Sequence, residues 1–377
     1  SSFRIVSSSN PYDPSLTKIS PAGDILWKKT YGSDTLYENI NSVIQTNDGG
    51  YAIIASRGFS SQADAYLIKT DSEGNEQWEK QYGGNNYEAG KSVVQTPDNG
   101  FLLLGWTRSF GNGQRDYYLV KTDSGGNEQW YRTYGSGEMD TGLEILSLSD
   151  GNYLLIGARV INGLDQGYIY KINSLGNIIW QHGYSYQNND SELFKAKVLE
   201  DGSIVSCGLT NNTSESDDGW LVKTDSAGNE LWQRKYNKST SSDLFYGMML
   251  TNDNGFLLGG QAWNATTNNQ DAWLLKVDSL GCPYPNCVTG IDEEEKKVLV
   301  DVYPNPANGV LNIELQENKH YNLTLTDLQG KVVFVSLLDY ARSDKFAIDV
   351  SGFANGVYFL SLQNSEQRTT VKIVIQH

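Results

Sequence analysis

The chain has 377 residues and a formal net charge of −16, with 11% aromatic residues, 38 glycines and only 20% charged residues. A field of that sign repels phosphate backbones and argues against a nucleic-acid partner, whereas cations and neutral glycans are easier to accept. Many short strands joined by glycine turns fit this composition better than helices do, and no apolar run approaches the ~20 residues of a membrane helix.

In chain order, one stretch keeps returning: DPSLTKISPAGDILW at 13–27, DAYLIKTDSEGNEQW at 64–78, DYYLVKTDSGGNEQW at 116–130, QGYIYKINSLGNIIW at 166–180, DGWLVKTDSAGNELW at 218–232 and DAWLLKVDSLG at 271–281. Its tryptophans, Trp27, Trp78, Trp130, Trp180 and Trp232, recur about every 51 residues, a period that signals a repeat architecture. Residues 92–134 show the internal plan. SVVQT alternates as a strand, PDNG turns, FLLLG is apolar throughout, YYLVKTD is a third strand, SGGN turns and EQWYRTY is a fourth. Four strands with tight hairpins predict a propeller blade. Third-strand lysines at Lys18, Lys69, Lys121, Lys171, Lys223 and Lys276 predict six blades, the first using residues 3–9 as its second strand. A five-bladed ring completed by residues 25–31 is the alternative. The fold class expected is therefore all-β.

Turn residues Asp48, Asp98, Asp150, Asp201 and Asp253 read as turn chemistry, because Asp bonds its own backbone there. Each tryptophan is expected to lie over the neighbouring blade with its indole N–H on a carbonyl. The pattern Asp71, Gly74, Trp78 resembles the tryptophan-docking motif of quinoprotein propellers, which implies blade packing and places no quinone.

In a propeller the short Asp-Gly turns share one face, and the longer loops, here 59–63, 108–115, 160–165, 209–217 and 261–270, share the other. Recognition belongs on that loop face. Ten residues before four of the five turn Asp stand Glu38, Glu88, Asp140 and Asp243, with Asp190 one place off in the remaining blade; they are expected to gather near the channel mouth, where they either hold Ca²⁺ or cap backbone N–H groups. Trp106, Arg108, Arg115 and Trp263 mark a possible ligand face, since a sugar stacks its C–H side on an aromatic ring while its hydroxyls find polar groups. No catalytic constellation emerges. Of three histidines, His182, His320 and His377, none has metal-ligand spacing. Cys207 lies in an apolar strand and reads as a buried small hydrophobe.

Residues 282–297 break the period. Cys282 and Cys287 in GCPYPNC read as a disulfide formed in an oxidising compartment, and GIDEEEKK reads as an acidic linker between a propeller at 1–281 and a second domain at 298–377. A secreted protein would already have lost a leader ahead of Ser1. From 298 onward come seven short alternating strands, which predict a β-sandwich. They carry VYPNPANG (Pro304, Asn305, Pro306, Gly309), DLQGKVV around Gly330, GFANGVYFL (Gly356, Tyr358) and a closing TVKIVI with Lys372. In that order these motifs resemble the type A C-terminal sorting domain of type 9 secretion substrates from Bacteroidota.

The resemblance implies export through the periplasm and the type 9 translocon, with residues 298–377 as the address bound by an outer-membrane β-barrel shuttle. It leaves the propeller's ligand open. The expected function is a secreted or cell-surface, adhesin-like or glycan-binding module. An extracellular polysaccharide-active enzyme and a protein-partner module in gliding or surface assembly are the alternatives.

Overall fold

A computed structural model describes residues 2–5, 15–32, 36–59, 62–211, 216–239, 241–264, 267, 269–283, 300–315, 320–327, 331–338, 345–363 and 368–377. The chain divides into two compact units, Ser1–Cys287 and Val288–His377.

The first unit is a series of antiparallel meanders. The first sheet holds β1 (Ser2–Ile5), β2 (Ser15–Ile19) and β3 (Ile25–Thr30). Four complete sheets follow. They are β4 (Glu38–Gln45), β5 (Tyr51–Phe59), β6 (Gln62–Thr70) and β7 (Glu76–Tyr82), then β8 (Glu88–Gln95), β9 (Phe101–Thr107), β10 (Asp116–Thr122) and β11 (Glu128–Tyr134). After these come β12 (Asp140–Ser147), β13 (Tyr153–Ile161), β14 (Leu164–Ile172) and β15 (Ile178–Tyr184), then β16 (Asp190–Val198), β17 (Ile204–Asn211), β18 (Asp217–Thr224) and β19 (Glu230–Tyr236). The sixth sheet has β20 (Leu244–Leu250), β21 (Phe256–Asn264) and β22 (Asn269–Val277).

First strands of successive sheets lie against one another, β4 on β8, β8 on β12, β12 on β16 and β16 on β20, and so make the inner wall. This is the β-propeller the repeat predicts. Burial follows from position in the blade. In β10 every residue of DYYLVKT is buried, because sheets cover both of its faces, whereas β11 is mostly exposed at the outside.

Five apolar layers join sheets one to six in order. One of them unites Ala52, Ile54 and Leu67 with Val93, Phe101 and Leu103 of the next sheet. The sixth sheet ends the series. Leu274 occupies the register position of Leu67, Leu119, Ile169 and Leu221, all fully buried, yet is 72% exposed. The layers do not join the last sheet to the first among the described residues, so the choice between six blades and five stays with the sequence expectation.

The tryptophans seal the blades as expected, but not by their N–H. A Cβ added to Gly74, Gly126 or Gly281 would run into the ring of Trp27, Trp78 or Trp232 from the preceding blade; at Gly228 it would meet His182 first and then the Trp180 ring, and at Gly176 it would lie tight against Arg132, Tyr134 and Trp130. The bond to the turn carbonyl comes instead from a tyrosine four residues after each indole. Tyr31, Tyr82, Tyr134, Tyr184 and Tyr236 donate their hydroxyls to those five glycine carbonyls at 2.8, 2.7, 2.7, 2.7 and 2.5 Å. The indole reaches the turn with its six-membered edge and leaves the carbonyl to the phenol.

On the turn face, Lys69, Lys121, Lys171 and Lys276 reach Asp48, Asp98, Asp150 and Asp253 at 2.7, 2.8, 2.9 and 2.9 Å, tying each blade's third strand to its first hairpin. One expected long loop is absent. Residues 160–165 form a hairpin in which β13 and β14 run on to Ile161 and Leu164 around Asn162 and Gly163, both at positive φ. Asn-Gly is the pair that a two-residue hairpin of this hand needs.

The second unit is a two-sheet sandwich. β23 (Val300–Tyr303), β24 (Val310–Leu315) and β27 (Lys345–Asp349) form one sheet. β26 (Val332–Leu338), β25 (Tyr321–Asp327), β28 (Gly356–Gln363) and β29 (Arg368–Ile375) form the other. Leu311, Ile313, Leu323, Leu325, Leu360 and Ile373 fill the space between them.

Candidate functional site

The four carboxylates, for which cation binding and capping are the two expectations, are engaged at the entry of their own first strands. Glu38 accepts from the Arg57 Nε. Glu88 accepts from the Thr107 hydroxyl at 2.7 Å and from the Gly84 and Ser109 amides at 2.8 and 3.0 Å. Asp140 takes the Ser136 amide, the Ser136 hydroxyl at 3.0 Å and Arg159 Nε at 3.4 Å. Asp243 takes the Lys238, Ser239 and Trp263 amides at 2.6, 2.7 and 3.1 Å. A buried carboxylate needs donors, and loop amides supply them. Among the described residues no group of three or more His, Cys, Asp or Glu side chains is placed to hold a metal ion, and the bonds these four make are those of the capping alternative.

The ligand-face residues fare differently. Three of the four meet on the third sheet. Trp106 stands near the end of β9, opposite Ala89 of β8 and Tyr117 of β10. Arg115, just ahead of β10, is held by its carbonyl, which accepts the Asp140 amide at 2.7 Å. Its guanidinium lies 5.0 Å from the Trp106 ring centre, and that of Arg108 lies at 5.8 Å. Tyr87, which the sequence reading missed, stacks on Trp106 with centroids 4.9 Å apart and planes 13° from parallel. Its carbonyl accepts the Arg108 amide at 3.0 Å, joining the loop before β8 to the loop after β9. Trp263 belongs elsewhere, on β21, where it pairs with Gln270. The pairing of Tyr87 with Trp106 was readable in principle: an aromatic one residue before the strand-entry carboxylate lands beside the end of the neighbouring strand.

A bulge sits in each first strand of sheets two to six, leaving Asn41, Lys91, Leu143, Phe194 and Tyr246 outside the pairing. Bulges re-aim a side chain. Lys91 Nζ donates to Asn41 Oδ1 at 3.3 Å, and Asn41 Nδ2 donates to the Gly90 carbonyl at 2.7 Å, so the second and third blades are stitched at the inner wall. Burial first, and the Arg115 charge second, hold the Lys91 amine below its ordinary range. Around the other side, Phe194 and Tyr246 stack at 5.8 Å.

In the sandwich, the sorting-motif residues clamp the last strand. Asn305 Nδ2 donates to the Lys372 carbonyl and Asn305 Oδ1 accepts the Val374 amide, both at 2.8 Å, so one side-chain amide imitates a strand partner for β29. Ala307 continues the pairing: its amide donates to the Val374 carbonyl at 2.7 Å and its carbonyl accepts the Gln376 amide at 3.0 Å. Both prolines flanking Asn305, Pro304 and Pro306, follow cis bonds. The Gly309 carbonyl accepts the Val350 amide at 2.7 Å. Tyr358 is buried and donates its hydroxyl to the Ala354 carbonyl at 2.8 Å, and Gly356 opens β28 opposite Ile375. The Lys372 side chain is exposed. Gly330 lies outside the described residues, as does Cys287; Cys282 is buried. Cys207 is free and buried, and burial pushes its thiol up to about 12, so it is no nucleophile near neutral pH.

A repeat propeller followed by a sandwich whose motif clamps its own final strand is the layout of an exported protein carrying a C-terminal address. Residues 301–376 match the family described as secretion system C-terminal sorting domain. The tail is a type 9 sorting domain and directs export to the cell surface or the extracellular space. No curated protein matches the chain.

Solved structures similar in part include an endo-arabinase from Bacteroides thetaiotaomicron, at 11% identity and TM-score 0.41, covering 64% of this chain and 93% of that one. A thermostable family-43 glycoside hydrolase gives 12%, 0.37, 63% and 89% in the same order. An apocarotenoid oxygenase mutant from Synechocystis gives 10%, 0.41, 70% and 64%. Likenesses of that size assign neither activity nor substrate. Among the described residues no helix is long and apolar enough to cross a membrane.

Proposed function

We propose that this protein is a non-enzymatic, adhesin-like glycan-binding propeller delivered by its sorting tail, with the Trp106 patch as the binding face. The observation that carries this reading is the Tyr87–Trp106 stack flanked by Arg108 and Arg115. The two rings are stacked on each other at the edge of a rigid blade, the part of the stack left uncovered is an apolar surface for a sugar's C–H side, and the guanidinium groups beside it supply donors that a sugar's oxygens accept. During export the tail engages an outer-membrane β-barrel shuttle of the type 9 translocon.

The test is a glycan array probed with the full chain, alongside an assay for new reducing ends. Binding without reducing ends, reduced at least tenfold by Trp106→Ala, is the expected result. Release of reducing ends from a bound glycan would replace this reading with an enzymatic one.

A further inference from the structure

Three basic side chains, Lys91, Arg108 and Arg115, gather around Trp106 in a chain whose net charge is −16. Several basic side chains elsewhere on the propeller face carboxylates, Lys69, Lys121, Lys171 and Arg159 at 2.7, 2.8, 2.9 and 3.4 Å. Lys91, Arg108 and Arg115 form no ion pair among the described residues. The Arg115 Nε has no hydrogen-bond partner although it is shut off from solvent, an unusual position for a guanidinium donor. Lys91 has the neutral Asn41 amide as its hydrogen-bond acceptor.

The three cations share one neighbourhood. Arg108 and Arg115 both flank Trp106, while Lys91 is the bulge residue of β8, next along from the Ala89–Trp106 and Gly90–Gly105 pairs. Like charges held together cost free energy. Burial lowers the proton affinity of the Arg115 guanidinium; the Glu192 carboxylate opposes that and the Arg108 charge adds to it. Glu192 and Asp165 are the carboxylates nearest in effect. Burial raises both, with Asp165 adding to the rise at Glu192 and Asp190 to that at Asp165, while Arg115 opposes it in each case.

We infer that the patch is built for an anionic sugar, a glycan unit whose carboxylate or sulfate ester lies among Lys91, Arg108 and Arg115 while its ring packs against the Tyr87–Trp106 stack. This rests on the glycan reading above and adds the substrate class. An anionic group supplies what the site lacks: planar, charged acceptors for guanidinium donors and a counter-charge for three unpaired cations. A polyanion is repelled by the rest of a surface this acidic, so its binding reports this patch.

The experiment is titration calorimetry of the full chain against matched pairs that share a backbone. Polygalacturonate against its methyl ester tests the carboxylate, and carrageenan against agarose oligosaccharides tests the sulfate ester. At least one anionic member is expected to bind ~10-fold or more tightly than its neutral twin, the gap narrowing as salt rises. Arg115→Gln and Lys91→Met are expected to weaken the anionic ligand ~10-fold and leave the neutral one unchanged. Arg108→Gln, on an exposed side chain, is the variant whose folding is not at issue, and is expected to shift affinity the same way with an unaltered melting curve.

Equal or tighter binding of both neutral members, or indifference of the charge preference to Arg108→Gln and Arg115→Gln, overturns the inference while the glycan reading stands. Absence of binding to every member of both pairs overturns the two together.

Discussion

At the scale of single residues, much of the cohesion between blades comes from groups that look ordinary in the sequence. The tyrosine after each indole is one. Tyr82 is buried with its hydroxyl on the Gly126 carbonyl, so Tyr82→Phe strands that carbonyl while leaving the ring in place. The expected loss is about 0.5 to 1.5 kcal/mol, read as a lower urea midpoint at unchanged slope. The turn carboxylates make a second prediction, in acid. Burial raises Asp48 and Asp98, but bonds from Lys69 with Thr46, and from Lys121 with Thr96, hold both at about 2, below the ordinary 3.8; Asp150 is held at about 2 by Lys171 first and Asn152 second. A depressed folded value means the stabilisation is fully present above the unfolded value and disappears as pH falls through the folded one. Thermal melts should therefore lose stability between pH ~4 and ~2. The Asp48→Asn, Asp98→Asn, Asp150→Asn variant should start lower and fall less over that window. Because these carboxylates are half-exposed, each contribution is small, and the three are best tested together.

At the scale of the element, the repeat is a lock in which one blade's indole occupies the next blade's turn. Gly126 shows the fit. It has φ +78°, and a Cβ there would lie 2.6 Å from the Trp78 ring, whereas Gly151, at φ +80°, has open space around its Cβ position. Both Gly→Ala substitutions strain the backbone, costing roughly 1 to 2 kcal/mol. Gly126→Ala must in addition displace the ring, and its expected excess of about 1 to 3 kcal/mol over Gly151→Ala measures the seat. Equal losses in chemical denaturation would mean that the indole is not seated there. The four-strand plan and the Asp-Gly turns were readable from period and turn chemistry. The bulge in each inner strand was not, because one extra residue in a pairing leaves no mark in an alternating pattern.

At the scale of the whole molecule, the propeller and the sandwich are separate solutions to the same problem of covering sheets. A propeller adds stability sheet by sheet through neighbour contacts, and the sandwich buries one core between two sheets. Address and proposed recognition face therefore fall on different units, and removing the address should leave the propeller's own layers intact. Deleting residues 298–377 is expected to keep the protein in the periplasm, measured by fractionation of cells expressing full and truncated chains. Secretion of the truncated chain at the normal level would show that export does not depend on the tail.

The amino-acid sequence by itself determined the repeat, the all-β class, the seven strands of the tail and the sorting motif, because local pairing, turn geometry and a regular period are written in neighbouring residues. That each indole packs on a neighbouring blade was likewise legible, though the seat of Trp78 on Gly126 was not. Tertiary structure alone decided where charge and apolar surface end up. Between the two roles open to Glu88 and Asp140, ligand or cap, the loop amides of Gly84, Ser109 and Ser136 favour the cap. Lys91, Arg108 and Arg115 became one cationic patch because three segments meet beside Trp106. Leu274, in a stretch that reads like Leu67 in its own, is exposed while Leu67 is buried. What surrounds a side chain depends on sheets far off in the chain, and no local pattern encodes them.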